Sequence, residues 1–167
     1  MDGTAHFRSF AAYNAWANRR LYDAVGALSQ EALVARRPAA YFESILGTLN
    51  HLLVGDRAWM DRFERLPPAG LPLNTILHEG FAELRTAREA EDARIARFVA
   101  GLTAEDLAGR LAYKTSAGTP HSDPLGRLLT HFFNHQTHHR GQAHALIKEA
   151  GAEPPPLDYI YFMREGG

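Results

Sequence analysis

Residues 123–151, DPLGRLLTHFFNHQTHHRGQAHALIKEAG, carry the strongest structural signal of this chain, because they predict one long helix. Asp123 followed by Pro124 is typical of a helix start, since aspartate caps free backbone amides and proline fits the first helical position. Gly151 is a typical helix end, and prolines follow at 154–156. At about 1.5 Å per residue, the predicted helix is roughly 40 Å long.

One face of this helix is mostly apolar but carries two histidines. At about 100° per residue, six residues share that face: Leu128, Phe132, His135, His139, Gln142 and Leu146. An apolar stripe of this kind faces the interior of a bundle, which places His135 and His139 inward and one turn apart. His131 and His138 fall at the edge of the stripe. The spacing therefore favours His135 and His139 as a pair that can converge on one ion.

Three further stretches have apolar residues at spacings of three and four, which predicts three more long helices. They run from about 4 to 28, from about 44 to 66, and from Asn74 or Thr75 to about residue 100. Thr103–Asp106 is a capping sequence for a short extra turn.

The connections complete the predicted architecture. Residues 111–121 predict a small hairpin or irregular excursion, and the apolar tail at 157–162 is expected to pack back on the body. Residues 1–167 are therefore expected to form a single domain. Its fold class is all-α, a four-helix bundle with a longer crossover connection and the small excursion before the last long helix.

His51 is the best candidate for a third ligand, because it lies in the middle of the second predicted helix. Gly47 and Gly55 stand one turn to either side of it. Glycine inside a helix costs about 0.5–1 kcal/mol relative to alanine, so two of them suggest that another group approaches closely. The alternative stays open, since a lone histidine on an apolar face is more often a hydrogen-bonded core residue.

Three imidazoles without a thiolate suit zinc, nickel, iron or cobalt. The chain has no cysteine, so thiolate nucleophiles, disulfides and cysteine–zinc sites are excluded. Three protein ligands leave a position for water or substrate, as in catalytic zinc sites. A ferritin-like di-iron centre is not expected, because the sequence has no Glu-x-x-His.

The charge pattern gives no support for binding to nucleic acid or to a membrane. The formal net charge is −1, and acidic and basic residues are interspersed, which gives no electrostatic footprint for nucleic acid or an anionic membrane. Neither a signal peptide nor an apolar run of the roughly 18 residues that a membrane span needs is recognisable. We therefore expect a cytoplasmic location.

Three motifs together resemble the DinB/YfiT-like family. The segment from Asn134 to Gln142, NHQTHHRGQ, is similar to the signature helix of that family. Residues 48–59, TLNHLLVGDRAW, are similar to its second-helix motif, and residues 13–21, YNAWANRRL, to its first. The motifs lie in the family's order, so the resemblance covers nearly the whole chain.

This resemblance implies a four-helix bundle in which His51, His135 and His139 bind a divalent metal ion. Zinc or nickel is expected most, with iron, cobalt or manganese as alternatives. Some relatives are thiol-dependent S-transferases or isomerases, so the resemblance implies a small-molecule substrate, with a low-molecular-weight thiol as a candidate. Family members are often homodimers, so a homodimer is expected here. A hydrolase is a further option, and fold alone transfers activity poorly.

Several neighbouring residues are weaker site candidates. Asn14 lies on the inward stripe of the first helix, where we expect it to bridge helices rather than to reach the metal cavity. Arg140 is the expected ion-pair partner of Asp56, because an unpaired carboxylate on an apolar helix face is costly. His138 is a weak candidate for a general base, with a solvated or interface histidine as the alternative. Trp16 points away from Asn14 and is expected in a subunit interface.

Two functions are therefore weighed from the sequence. The first is a metal-dependent transferase, isomerase or hydrolase. The alternative is a non-enzymatic, stress-associated protein in which the ion stabilises the bundle.

Overall fold

The predicted helical spacing produces four long helices in the computed structural model, which describes residues 3–38 and 40–167. In chain order the elements are α1 (Gly3–Val25), α2 (Gln30–Val34), α3 (Ile45–Phe63), α4 (Phe81–Ala100), α5 (Ala104–Ala108), β1 (Arg110–Lys114), β2 (Pro120–Pro124), α6 (Leu125–Glu149) and α7 (Tyr159–Arg164). Helix α1 packs on α4 and α6, and α3 packs on the same two helices. This arrangement confirms the predicted all-α bundle.

The bundle core consists of two apolar clusters with polar residues between them. One cluster includes Leu21, Leu49, Leu84 and Ile147. The other includes Phe7, Met60, Ile95 and Phe132. Each long helix contributes to both clusters and places buried polar side chains between them. These intervening residues form what we call the polar layer: Asn14, Asn18, Asp56, Arg88, Asp92, Gln136 and Arg140.

Helix α4 begins at Phe81, later than the predicted start at Asn74 or Thr75. The reason is a tertiary contact with α3. Asn50 Oδ1 accepts hydrogen bonds from the backbone amides of Leu77 and His78, at 2.8 and 3.0 Å. A side chain therefore satisfies these amides, and the preceding residues run across α3 without forming a helical turn.

The hairpin before α6 is confirmed, but the predicted cap at its end is wrong. Strands β1 and β2 pair in antiparallel fashion, with Tyr113 opposite His121. Asp123 belongs to β2, where its Oδ2 accepts a hydrogen bond from the Tyr113 hydroxyl at 3.1 Å. Pro124 is the N-cap residue of α6, and no side chain caps the helix. Pairing in the hairpin therefore replaces the capping role that the Asp-Pro pair suggested.

The C-terminal segment packs back on the body, as expected, through α7. Phe162 is buried against Trp16, with the ring centroids 5.8 Å apart. The indole N–H of Trp16 donates to Glu165 Oε2 at 2.9 Å. The chain's own C-terminal helix therefore covers Trp16, which corrects the expectation that this side chain lies in a subunit interface. The homodimer itself stays a prediction.

Two smaller features complete the fold. Helix α2 was not expected, although Ser29 caps it by accepting a hydrogen bond from the Ala32 amide at 3.2 Å. Helix α5 has the predicted capping box, formed by Thr103 and Asp106. Within residues 3–38 and 40–167, none of the helices combines the length and hydropathy that a bilayer crossing requires.

Candidate metal centre

The three predicted histidines meet between α3 and α6. His51 projects from α3, and His135 and His139 project from successive turns of α6. One ring nitrogen from each lies within 4.8 Å of the others. The Nε2 atoms of His51 and His139 are 3.1 Å apart. The three imidazoles therefore form a group that could hold a single metal ion.

Two of these rings are oriented by hydrogen bonds from their outer nitrogens. Nδ1 of His51 donates to the backbone carbonyl of Leu73 at 2.8 Å. Nδ1 of His139 donates to Gln142 Oε1 at 2.7 Å. With the proton on Nδ1, each ring presents a bare Nε2 lone pair to the centre of the cluster. Neither acceptor was assigned from the sequence, although Gln142 was already placed on the same helix face.

Both glycines beside His51 permit close approach, as their spacing suggested. A Cβ atom on Gly55 would lie 3.1 Å from Cε1 of His135, so glycine lets that ring pack against α3. A Cβ atom on Gly47 would collide with the backbone oxygen of Phe42, which precedes α3. The Phe42 ring in turn stacks on His51, with centroids 3.7 Å apart and an interplanar angle of 15°. The approaching group at Gly47 is therefore the chain's own connector.

Burial keeps the three imidazoles neutral near pH 7. It lowers the pKa of His51 and of His139, and in each case a hydrogen bond to the outer nitrogen opposes the change. The pKa of His135 falls to about 3, because burial is reinforced by the neighbouring imidazoles, His139 first. Nδ1 of His135 is buried and has no hydrogen-bond partner within the described part of the chain. Neutral imidazole with a free lone pair is the form that binds metal ions.

Asn14 bridges helices, as expected. Its amide nitrogen donates to Asp92 Oδ1 at 3.2 Å, and its oxygen accepts from Arg140 Nη1. The same guanidinium nitrogen of Arg140 reaches Asn18 Oδ1 at 3.3 Å. Asn14 therefore connects α1 with α4 and α6.

The predicted ion pair between Asp56 and Arg140 is wrong. Asp56 pairs with Arg88 of α4, and Arg88 also lies 3.0 Å from Asp92 Oδ1. Helix packing explains why Asp56 does not pair with Arg140. Helix α3 packs on α4, where Arg88 lies, whereas Arg140 of α6 turns toward α1 and bonds to Asn14. Burial raises the pKa of Asp56, and the Arg88 charge opposes that change. Asp56 is fully buried, so it belongs to the polar layer and not to the metal cavity.

Two other histidines of α6, His131 and His138, lie outside the cluster. His138 is exposed, and its Nε2 is 3.2 Å from Nε2 of Gln142. This position fits the solvated alternative better than a general base. His131 is also exposed, and its ring lies 5.1 Å from Trp59 and 6.0 Å from His135. Trp59 and His131 therefore form an aromatic wall beside His135, which the sequence analysis did not identify.

Comparisons with known proteins show the family and the fold of this chain. The family model described as "DinB family" matches residues 1–166. A curated relative, Protein DinB of Bacillus subtilis (strain 168), is 28% identical over 156 residues, which is 90% of either chain. The crystal structure of a DinB-like protein from Bacillus cereus ATCC 10987 superposes with a TM-score of 0.64 at 20% identity. That match covers 87% of this chain and 91% of the other, and it supports the fold.

The lowered pKa of His135 predicts a pH dependence of the metal-free protein. Between about pH 7.5 and 5.5 the unfolded chain takes up a proton at its ordinary imidazole, whereas folded His135 does not. The free energy of unfolding should therefore decrease as the pH falls through this window. Urea unfolding in the presence of a chelator measures it.

The His135→Leu variant cannot be protonated at this position and should lose less stability over the same window. His121→Gln, on the exposed hairpin, is the matched control and should follow the wild type. Equal pH dependence of His135→Leu and the wild type would contradict the assignment.

The Arg88→Met variant should be strongly destabilised, because it leaves Asp56 and Asp92 buried without their shared cation. Breaking a buried ion pair in this way costs about 3–5 kcal/mol. Urea unfolding at pH 7 measures the loss. Arg97→Met, at an exposed position near the end of the same helix, should change stability by less than about 1 kcal/mol. If Arg88→Met lost no more stability than Arg97→Met, the polar layer would have to rearrange in the absence of the Arg88 charge.

Proposed function

This chain belongs to the DinB family, and we propose that it is a metal-dependent enzyme whose divalent ion is held by His51, His135 and His139. The reaction we favour is the addition or transfer of a low-molecular-weight thiol to a small electrophile. Hydrolysis of a small molecule is the closest variant of the same chemistry. A second copy of the chain is expected to complete a homodimer.

The observation that carries the proposal is the pair of Nε2 atoms 3.1 Å apart. Their outer nitrogens donate to Leu73 and Gln142, so both inner nitrogens present lone pairs to each other. Two facing acceptors at this distance repel unless a proton or a cation lies between them. Burial disfavours the proton, since it lowers the pKa of both rings. A metal cation resolves the repulsion.

The donor set suits zinc or nickel, with iron, cobalt or manganese as alternatives. Imidazole is a ligand common to these ions, and the cluster contains neither thiolate nor carboxylate among the residues that the structure describes. Three protein ligands leave a further coordination position for a small molecule. When bound, a divalent ion supplies Lewis acidity, which makes a thiol or a water molecule a stronger nucleophile at neutral pH.

The surrounding residues would shape this position for a substrate. Phe42 stacks on His51 and so excludes water from that side of the cluster. Trp59 and His131 form the aromatic wall beside His135, where a flat electrophile could lie. Tyr113 of the hairpin extends the wall, with its ring 5.6 Å from Trp59. In this proposal the aromatic groups bind and orient the electrophile. The nucleophile is a thiol or a water molecule and not a side chain.

The rival function is a non-enzymatic one, in which the ion stabilises the bundle. It is favoured by the exposed position of His138, because no other proton-transfer group is evident at the cluster among the residues that the structure describes. Both functions require the metal. They differ in whether metal loading changes a reaction rate or only the stability.

Metal content tests whether the three histidines bind an ion. Purified, untagged wild-type protein should contain about one zinc or nickel ion per chain, and His51→Ala and His135→Ala should each lose it. The two variants change different helices, so joint loss would identify a site shared by α3 and α6. His138→Ala is the matched control and should retain the metal. A wild-type protein that cannot be loaded would overturn the proposal.

Thiol transfer tests the proposed reaction. Metal-loaded protein should accelerate the reaction of a thiol such as glutathione, cysteine or coenzyme A with chlorodinitrobenzene, and chelation should abolish the acceleration. Sulfur forms a bond to the ring carbon, chloride leaves, and the thiol proton passes to the buffer, so absorbance of the thioether reports the rate. A thermal midpoint that falls on chelation without any activity over this panel would favour the structural role.

A further inference from the structure

Helix α6 borders a separate cavity on the face opposite to the histidine cluster. The cavity has a volume of about 590 Å³ and lies between α1, α6 and the segment that leads into α7. At about 100° per residue, Phe133, Thr137 and Gly141 point away from the stripe of His135 and His139, and all three line the cavity. Its volume is within the range of about 300–1,000 Å³ that is typical of small-molecule sites.

Aromatic rings form much of the cavity wall. Phe10 and Tyr159 stack with their centroids 5.4 Å apart and an interplanar angle of 19°. Phe133 lies 5.9 Å from Phe10, and Tyr13 meets Tyr159 edge to face at 5.2 Å. Rings arranged in this way favour a flat, aromatic occupant, which can stack on one wall and meet the edge of another.

Arg140 places a buried positive charge at the floor of this cavity. Its side chain is 2% exposed, and its guanidinium lies between two lining residues, 5.3 Å from the Tyr13 ring centroid and 3.4 Å from Thr137 Oγ1. Its other hydrogen bonds go to the neutral amide oxygens of Asn14 and Asn18. In the described part of the chain, no carboxylate forms an ion pair with Arg140. Burial lowers the pKa of Arg140, and the charges of Asp92 and Asp56 oppose this without an ion-pair contact. A carboxylate in direct contact would therefore stabilise the buried cation further.

We propose that this cavity binds a small aromatic carboxylate. The ring of the ligand lies against Phe10 and Tyr159, and its carboxylate group faces Arg140. Guanidinium suits a carboxylate, because its planar fork matches the two oxygens. A single negative charge is favoured over a phosphate, since Asp158 adds a carboxylate to the cavity lining. The proposal does not depend on the metal site, which uses the other face of α6.

Binding of benzoate and phenylacetate tests the proposal, measured by isothermal titration calorimetry or ligand-observed NMR. The protein used is the full chain carrying His51→Ala, because a carboxylate could also bind a metal ion in the histidine cluster. At least one of the two probes should bind with a Kd of about 1 mM or tighter. Benzamide and phenylacetamide have the same rings without the charge, and they should bind at least about tenfold more weakly.

Gly141→Leu is the sharpest variant, because a Cβ atom on Gly141 meets nothing within 4 Å and the longer side chain would occupy the cavity. Leucine also favours a helix over glycine, so the fold should be retained. The variant should weaken probe binding at least about tenfold. Ala90→Leu adds the same side chain at an exposed position of α4 and should leave binding unchanged. Asp158→Asn should strengthen binding, since it removes the negative charge from the lining.

Several outcomes would overturn the proposal. They are the absence of probe binding, equal binding of the acids and their amides, or equal binding by Gly141→Leu and its parent. Light scattering provides a further check. If the His51→Ala protein is a dimer and its Gly141→Leu variant is a monomer, a second copy of the chain covers the cavity. A small carboxylate then does not occupy it.

Discussion

The ion pair between Asp56 and Arg88 constrains how the four long helices can be assembled. Both side chains are almost completely inaccessible to water, and charges in such a place are stable only when they are paired. Asp92 shares Arg88, and Asn14 and Asn18 bond to Asp92, so one connected group links α1, α3 and α4. A shift of α3 or α4 along its axis would separate Asp56 from Arg88, and a shift of α1 would leave Asp92 without its two asparagine partners. The polar layer therefore specifies the relative positions of helices whose apolar clusters would tolerate sliding.

The histidine cluster lies directly beside the polar layer on both α3 and α6. Asp56 directly follows Gly55, which lies against the ring of His135, and Gln136 of the polar layer directly follows His135 itself. Helix α6 joins the polar layer through Arg140, which bonds to Asn14 and Asn18 of α1. Both of these asparagines bond to Asp92. Packing of the apolar clusters supplies most of the stability, whereas the polar layer connects α6 through α1 to the Asp56–Arg88 pair of α3 and α4.

The four long helices, the bundle and the His135–His139 pair were predictable because they follow from periodicity within single segments, whereas His51 was selected with the help of the resemblance to the DinB/YfiT-like family. His135 and His139 share a helix face, and the two glycines beside His51 signal a close approach. What could not be predicted depends on contacts between segments. Asn50 of α3 binds the backbone amide of Leu77 and so holds the segment between α3 and α4 against α3. This contact brings the carbonyl of Leu73 to His51. Arg88 was missed as the partner of Asp56, although Leu84, Arg88 and Ile95 share the inward face of α4 at spacings of four and seven.

The hydrogen bond from His51 to the carbonyl of Leu73 has a consequence for how this protein can diverge. A backbone carbonyl is supplied by any residue, so the side chain at position 73 is free to vary without loss of the contact. The connector between α3 and α4 is weakly constrained by packing, because three of its side chains are exposed: Leu66, Leu71 and Leu73. Its path is constrained instead, because the chain must pass over His51 at the correct distance before Asn50 binds it. The segment between α3 and α4 should therefore tolerate substitutions readily, but insertions or deletions rarely.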